Sequence, residues 1–393
     1  MRKHPDFDEL IDRVGTHSAK WDEMQGIYGV PPEEGIAMWV ADMDFRPPAC
    51  VQRALQGMLD HGVYGYWGGE AEYRAAIGWW MQNRHGWRIE PDWIFTTHGL
   101  VNGTGLCVEA FTAPGDGVVL MTPVYHAFAR VVRAAGRKVV ECPLALRDGR
   151  CYEMDFDAWE AQMDGSAKML ILCSPHNPGG RVWSADELRA VADFCRRHDL
   201  VLISDEIHHD LVMPGQRHIP FPLAAPDQPV VMLSATTKTF NIAGSHSGNV
   251  IIADPDLRAR FGAKMAALGI SPNSFGLAMA TAAYSPEGAE WLDALNAYLD
   301  GNRRLFDEGV NAIPGLRSMP LEATYLAWVD FSGTGMAPEE FIARVQNTAR
   351  IAANHGASFG LGGENYLRFN LATPRARVAE AVARLQAAFA DLQ

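Results

Sequence analysis

The feature that most restricts how this chain can fold is a stretch, residues 92–253, in which short apolar runs alternate with helical periodicity. Residues 93–97 read as a strand, 103–111 as a helix, Ala113-Pro114-Gly115-Asp116-Gly117 as a turn and 118–121 as the next strand. Buried-type strands recur at 169–173, 200–204, 230–233 and 249–253. A helix is predicted over 184–198, because Ser184 followed three residues later by Glu187 makes a capping box. Strands that are apolar along both faces need cover on both, and intervening helices supply it. The expected fold class is α/β, a mostly parallel sheet whose ligand sits beyond the carboxyl ends of the strands.

The C-terminal part reads differently. A long helical stretch at 287–312 leads to the Pro314-Gly315 turn, then strand-like pieces at 325–329 and 366–370. This predicts a smaller α+β domain completed by the N-terminal segment: 1–45 with 285–393, against a large domain of 46–284.

Composition narrows the classes of partner. With 48% hydrophobic and 21% charged residues the chain is neither disordered nor fibrous. Its formal net charge of -13 argues against nucleic-acid and anionic-membrane partners, since the mean field repels phosphate. No apolar run reaches the length of a bilayer span, and Met1-Arg2-Lys3-His4 is not followed by an apolar segment of the secretory kind. The six cysteines show no C-x-x-C pairing, and Cys173 ends the apolar run Met169-Leu170-Ile171-Leu172-Cys173. A reduced, cytoplasmic protein is the reading.

Three segments just past strand ends carry chemistry. Ser174-Pro175-His176-Asn177-Pro178-Gly179-Gly180-Arg181 has two X-Pro bonds in five residues, an irregular and stiff turn. In Ser204-Asp205-Glu206-Ile207-His208-His209-Asp210, an aspartate at a strand end could hold a cationic ring nitrogen. Its histidines invite a metal reading, but the spacing matches no metal motif, so no metal is expected and the paired histidines read as a solvated turn. In Ser234-Ala235-Thr236-Thr237-Lys238-Thr239-Phe240-Asn241, one lysine stands among small hydroxylated residues. Burial would lower its pKa, as Schiff-base chemistry requires; a lysine snorkelling to the surface is the alternative.

Together the three segments resemble fold-type I enzymes dependent on pyridoxal 5′-phosphate (PLP), the aminotransferase class I/II superfamily. Gly15-Thr16-His17-Ser18-Ala19-Lys20-Trp21-Asp22, Met38-Trp39-Val40-Ala41-Asp42-Met43-Asp44-Phe45, Tyr64-Gly65-Tyr66, Val182-Trp183, Ile242-Ala243-Gly244 and Glu322-Ala323-Thr324-Tyr325-Leu326 resemble the MalY/PatB-type cystathionine β-lyases, the bacterial C–S lyases. The resemblance implies a three-layer large domain around a seven-stranded sheet, with a smaller α+β domain. It implies Lys238 as the Schiff-base lysine and then the base for the substrate Cα proton, Asp205 as partner of the pyridine nitrogen, Asn177 as donor to the 3′-oxygen and Tyr125 stacked on the ring. The phosphate would lie on the helix opened by Leu100, Val101 and Asn102, with Thr237 and His208 nearby and Tyr66 reaching in from a second subunit of a homodimer. Arg368 would take the substrate α-carboxylate, with Asn177 and the backbone of Val40 and Ala41 closing on it. Trp67, His126 and Tyr325 are candidates for the side-chain pocket.

His98, Asn102 and His246 depart from the wider superfamily, and the absence of an arginine at 246 is shared with the C–S lyase branch. The implied activity is a β-lyase cleaving cystathionine or another cysteine S-conjugate to pyruvate, ammonia and a thiol. An aminotransferase is the alternative, since it would use the same residues. A non-enzymatic regulator on this fold is disfavoured by the intact lysine, aspartate, asparagine and arginine.

Overall fold

The computed structural model describes residues 5–392; the basic start of the chain, Met1 to His4, lies outside them. Seven strands form the central sheet: β1 (Ile94–Thr97), β2 (Gly117–Leu120), β3 (Lys138–Glu141), β4 (Ala167–Cys173), β5 (Val201–Asp205), β6 (Val230–Ser234) and β7 (Gly248–Ile252). Their spatial order is β1-β7-β6-β5-β4-β2-β3. β7 runs antiparallel to both neighbours, and the remaining pairs are parallel.

The helices that position the site are α1 (Ala71–His85), α2 (Leu100–Phe111), α3 (His126–Ala134), α4 (Ala185–Arg197), the single turn α5 (Thr236–Thr239), α6 (Pro286–Asn311) and α7 (Arg375–Ala388). Successive side chains of β4 point to opposite layers, as strand geometry requires. Met169, Ile171 and Cys173 pack with Leu106, Cys107 and Phe128 of α2 and α3. Leu170 and Leu172 pack with Leu188, Val191 and Phe194 of α4. This two-sided burial is why the strand reads as one continuous apolar run. The capping box of α4 forms as the sequence predicts. Helix α2 starts at Leu100, as the resemblance implies and three residues before the start read from periodicity. Its N-cap is Gly99 at φ 83, with no capping side chain to mark it.

A second sheet of β8 (Arg317–Ser318), β9 (Leu326–Asp330), β10 (Asn354–His355) and β11 (Tyr366–Asn370) is antiparallel, in the order β8-β9-β11-β10. Ile36–Ala37 pairs with Ile351–Ala352, which ties the N-terminal segment to this region. Among the described residues no helix is long and apolar enough to cross a membrane, and all six cysteines are free thiols.

Residues 39–45 form a strap across the mouth of the central sheet, held from three directions. Asn370 Nδ2 donates to the carbonyls of Val40 and Asp42 at 2.6 Å each. Asn241, in the left-handed region at φ 54, binds the backbone of Met43 and Phe45 with both ends of its amide. Lys20, fully buried, donates to Asp44 Oδ2 at 2.9 Å, while Arg13 and Trp21 donate to Asp44 Oδ1. The two N-terminal motifs that resemble the lyase branch thus meet here.

Burial pushes the Asp44 carboxyl up, but Lys20, the Trp21 hydrogen bond and Arg13 outweigh it and bring the pKa down to about 2. A carboxylate held below its unfolded value stabilises the fold above that value and loses the contribution as pH falls through its folded pKa. The Asp44 contribution is therefore lost between about pH 4 and pH 2. Asp44→Ala leaves the buried Lys20 ammonium with only the Asp42 carbonyl at 3.3 Å and the Asp42 carboxylate at 3.8 Å, and we expect it to cost about 3–5 kcal/mol in urea unfolding at neutral pH. A loss under about 1 kcal/mol would contradict that account.

Candidate active site

The carboxyl ends of β4, β5 and β6, the start of α2 and the strap enclose a cleft of about 380 Å3. Val40, Ala41, Leu100, Val101, Tyr125, Asn177, Asp205, His208, Thr237, Lys238 and Arg368 line it together. Four sequence candidates, Tyr66, Trp67, Asn102 and Tyr325, are not among the residues that line it. Tyr66 is fully solvent-exposed and lines a surface groove with Tyr64 and Trp67. Asn102 turns back to accept the backbone N–H of His98 at 3.1 Å. Tyr325 stands under the strap, its hydroxyl 3.0 Å from the Ala41 carbonyl.

Lys238 sits on the short turn α5, just after the fully buried strand β6. Its Nζ donates to the Ala41 carbonyl at 2.5 Å, and what exposure it has is into the cleft. Burial lowers its pKa to about 8, with Asp42 opposing and Arg368 assisting. An amine there is a usable nucleophile near neutrality.

Asp205 closes β5 with its carboxylate almost fully buried. Oδ1 accepts the Ile207 N–H at 3.1 Å. Burial pushes its pKa up to about 7, against that bond, and Glu206 adds to the rise. A buried carboxylate held so high has room for a cation, whose arrival would restore the charged form.

Arg368, on β11, is 2% exposed. It donates to Asn177 Oδ1 at 2.9 Å, the Trp39 carbonyl at 2.9 Å and Asn354 Oδ1 at 3.1 Å, all neutral acceptors. Its Nε has no partner, and its guanidinium lies 4.9 Å from the Phe359 ring. Burial brings its pKa down to about 10, so it remains a cation at neutral pH. A buried cation with no carboxylate beside it marks the place of an anionic ligand. Because Asn177 Oδ1 is committed to Arg368, the Asn177 amide presents its NH2 as donor.

At the other end, α2 starts with free amide groups and its dipole facing the cleft, a ready anion site. A Cβ on Gly248 would lie 3.1 Å from the Leu100 nitrogen, so only glycine lets β7 approach this turn.

His208 and His209 are buried, at 2% and 1% exposure, not a solvated turn. The reason is a network behind the cleft that the sequence did not announce. Asp210 accepts from Trp80 Nε1 at 2.9 Å and Thr239 Oγ1 at 2.8 Å, and pairs with His85 Nε2 at 2.8 Å. His209 Nε2 lies 3.1 Å from its other oxygen. His85, His209 and Asp210 come within metal-ligand distance of one another, yet both Asp210 oxygens are occupied by these donors. Asn354 and Trp39, which hold Arg368, were also missed as site residues. Trp39 lies inside a motif that marks the branch, whereas nothing in Ala353-Asn354-His355 signals a role.

Comparison with known proteins places this geometry. Residues 40–385 match the family model "Aminotransferase class I and II". The chain is 38% identical over 387 residues to cystathionine β-lyase PatB of Bacillus subtilis, covering 97% of this chain and 99% of that protein. It is 32% identical over 393 residues to protein MalY of Escherichia coli, with 97% of each covered. The crystal structure of cystalysin from Treponema denticola, which contains pyridoxal 5′-phosphate, superposes with a TM-score of 0.93 at 38% identity, covering 99% of this chain and 100% of that one. The chain belongs to the aminotransferase class I and II family, among the relatives of the PatB- and MalY-type proteins.

Proposed function

We propose that this chain is a PLP-dependent C–S β-lyase that cleaves cystathionine or another cysteine S-conjugate to pyruvate, ammonia and a thiol. The observation that carries the reading is the pairing, in one cleft, of a lysine with lowered pKa and a buried arginine that lacks an anion. The residues suit the cofactor. Lys238 would hold its aldehyde carbon, Asp205 its ring nitrogen, Asn177 the ring oxygen, Tyr125 the ring face, and the amides of Leu100 and Val101 with Thr237 its phosphate. When bound, that group supplies an electron sink for the carbanion left at the substrate Cα.

The chain's own groups do the rest. Arg368 would hold the α-carboxylate by a two-pronged pair, with Asn177 and the strap backbone at Val40-Ala41 fixing its orientation. Lys238 would take the Cα proton, its pKa of about 8 suiting it to that transfer at neutral pH. The strap forms one wall of the cleft through Trp39, Val40 and Ala41. His208 is kept neutral by burial, which lowers its pKa to about 3, so it adds no charge beside Lys238.

We further propose a cytoplasmic homodimer in which the exposed Tyr66 of one protomer reaches the phosphate end of its partner's cleft. The domain division is proposed at 46–284 against 1–45 with 285–393. The exposed aromatic groove around Tyr64, Tyr66 and Trp67 supports a covered surface there. Product analysis tests the activity. S-methylcysteine should yield pyruvate, ammonia and methanethiol in equal amounts. A ketoacid retaining the sulfur, formed only with an added amino acceptor, would make the protein an aminotransferase instead.

A further inference from the structure

One ionisable side chain of the cleft has no part in the scheme above. His126 is the first residue of α3, directly after Tyr125. It lines the catalytic cleft, with its ring 5.0 Å from that of Tyr125 and 5.6 Å from that of Phe359, the same phenyl ring that lies against Arg368. Neither ring nitrogen has a hydrogen-bond partner among the described residues. Of the other three cleft histidines, His98 Nε2 is bonded to the Ser271 carbonyl at 2.7 Å, His208 is sealed at 2% exposure, and His246 is exposed on the turn after Ala243–Ser245 rather than beside the Arg368 end of the cleft. His126 also borders a second cleft, of about 310 Å3, lined by Arg133, Glu141 and Glu364. It therefore stands between the reacting centre and a polar opening through which a proton can be replaced.

We propose that His126 is the proton donor to the departing sulfur, a role that rests on the β-lyase reading. The balance is closed. The Cα proton passes to Lys238, the Cβ–S bond breaks with its electron pair on sulfur, and an imidazolium proton from His126 converts the thiolate to the free thiol. His126 takes that proton up from solvent once the substrate is bound, so it ends the cycle as the neutral imidazole with which it began.

Three influences hold the imidazole neutral before substrate arrives: burial, the charges of Arg368 and Arg130, and the start of a helix. Together the first two lower its pKa to about 4. A substrate carboxylate on Arg368 cancels one of these charges, and negative charge growing on sulfur adds attraction. Protonation is thus favoured when the donor is needed. Tyr125, whose phenol is pushed up by burial, is the weaker acid of the pair. Other groups facing the ring across the second cleft are Arg133, opposing protonation, and Glu141 and Glu364, favouring it.

The test uses leaving groups of different basicity on the holoenzyme. Chloride leaves without a proton, whereas an alkyl thiolate needs one. For His126→Phe, kcat/KM on S-methylcysteine should fall about 100-fold, within the usual range for one general acid, while β-chloroalanine turnover changes less than about 3-fold. Equal losses on both substrates, or no loss on either, would overturn the proposal. An NMR titration of the wild-type His126 ring is the second readout, and it serves if the phenylalanine variant does not fold. The ring should titrate at higher pH when an S-methyl-α-methylcysteine, which has no α-proton to lose, is bound. An unchanged titration would also overturn it. Wild-type protein releasing pyruvate from neither substrate would sink the β-lyase reading itself, a result distinct from either failure of His126.

Discussion

Replacing Lys238 with alanine should leave a folded, colourless protein whose pyruvate release is down by 10⁴-fold or more, on the order of what removal of a covalent nucleophile costs elsewhere. Two roles fall at once, the covalent attachment of the cofactor and removal of the Cα proton, so the losses do not simply add. Stability should change little. The Nζ of Lys238 has one hydrogen-bond partner, the Ala41 carbonyl, which the Tyr325 hydroxyl also reaches. Its burial lowers its pKa, so folding gains nothing from its charge. Steady-state assays, an absorption spectrum of the purified protein and a urea melt check all three statements. A variant that turned over at the normal rate would end the assignment of Lys238.

The second large effect is expected at Arg368. Truncating one partner of a buried, hydrogen-bonded charge pair costs about 2–5 kcal/mol. For Arg368→Ala this corresponds to a fall in kcat/KM of roughly 30-fold to several thousand-fold, since each factor of ten is about 1.4 kcal/mol. KM should rise most, because the carboxylate loses its anchor. A smaller fall in kcat should accompany it, because the Cα–H bond is no longer held toward Lys238. Arg368→Lys should restore little. Three acceptors, Asn177 Oδ1, the Trp39 carbonyl and Asn354 Oδ1, are spread around a planar guanidinium that one ammonium cannot reach. Kinetics on S-methylcysteine decide it. An unchanged KM would remove Arg368 from the carboxylate site.

Much of this was legible because it is local. A capping box is written in Ser184 and Glu187 and appears as read. Apolar runs such as Met169-Leu170-Ile171-Leu172-Cys173 are buried from both sides, and no other arrangement of an α/β sheet explains them. Lys238, Asp205 and Asn177 follow strands at the sheet's carboxyl edge, so their convergence in one cleft follows from the topology. The exceptions have physical causes too. Helix α2 starts early because a glycine at positive φ needs no capping side chain. The histidines at 208 and 209 looked solvated because the rings they pack against, His85 for His209 and Tyr325 for His208, come from distant parts of the chain.

By itself, then, the amino-acid order determined the kind of fold, the strand-end placement of the lysine and aspartate, and the family likeness, all of which follow from periodicity and short motifs. Only the tertiary structure decided that Arg368 is a buried cation ringed by neutral acceptors, that the 39–45 strap is held by Lys20, Asn241 and Asn370, and that His126 opens onto the cleft with neither ring nitrogen hydrogen-bonded among the described residues. Those facts depend on contacts between residues up to 330 positions apart. Burial and charge compensation arise from such contacts, and no local pattern encodes them.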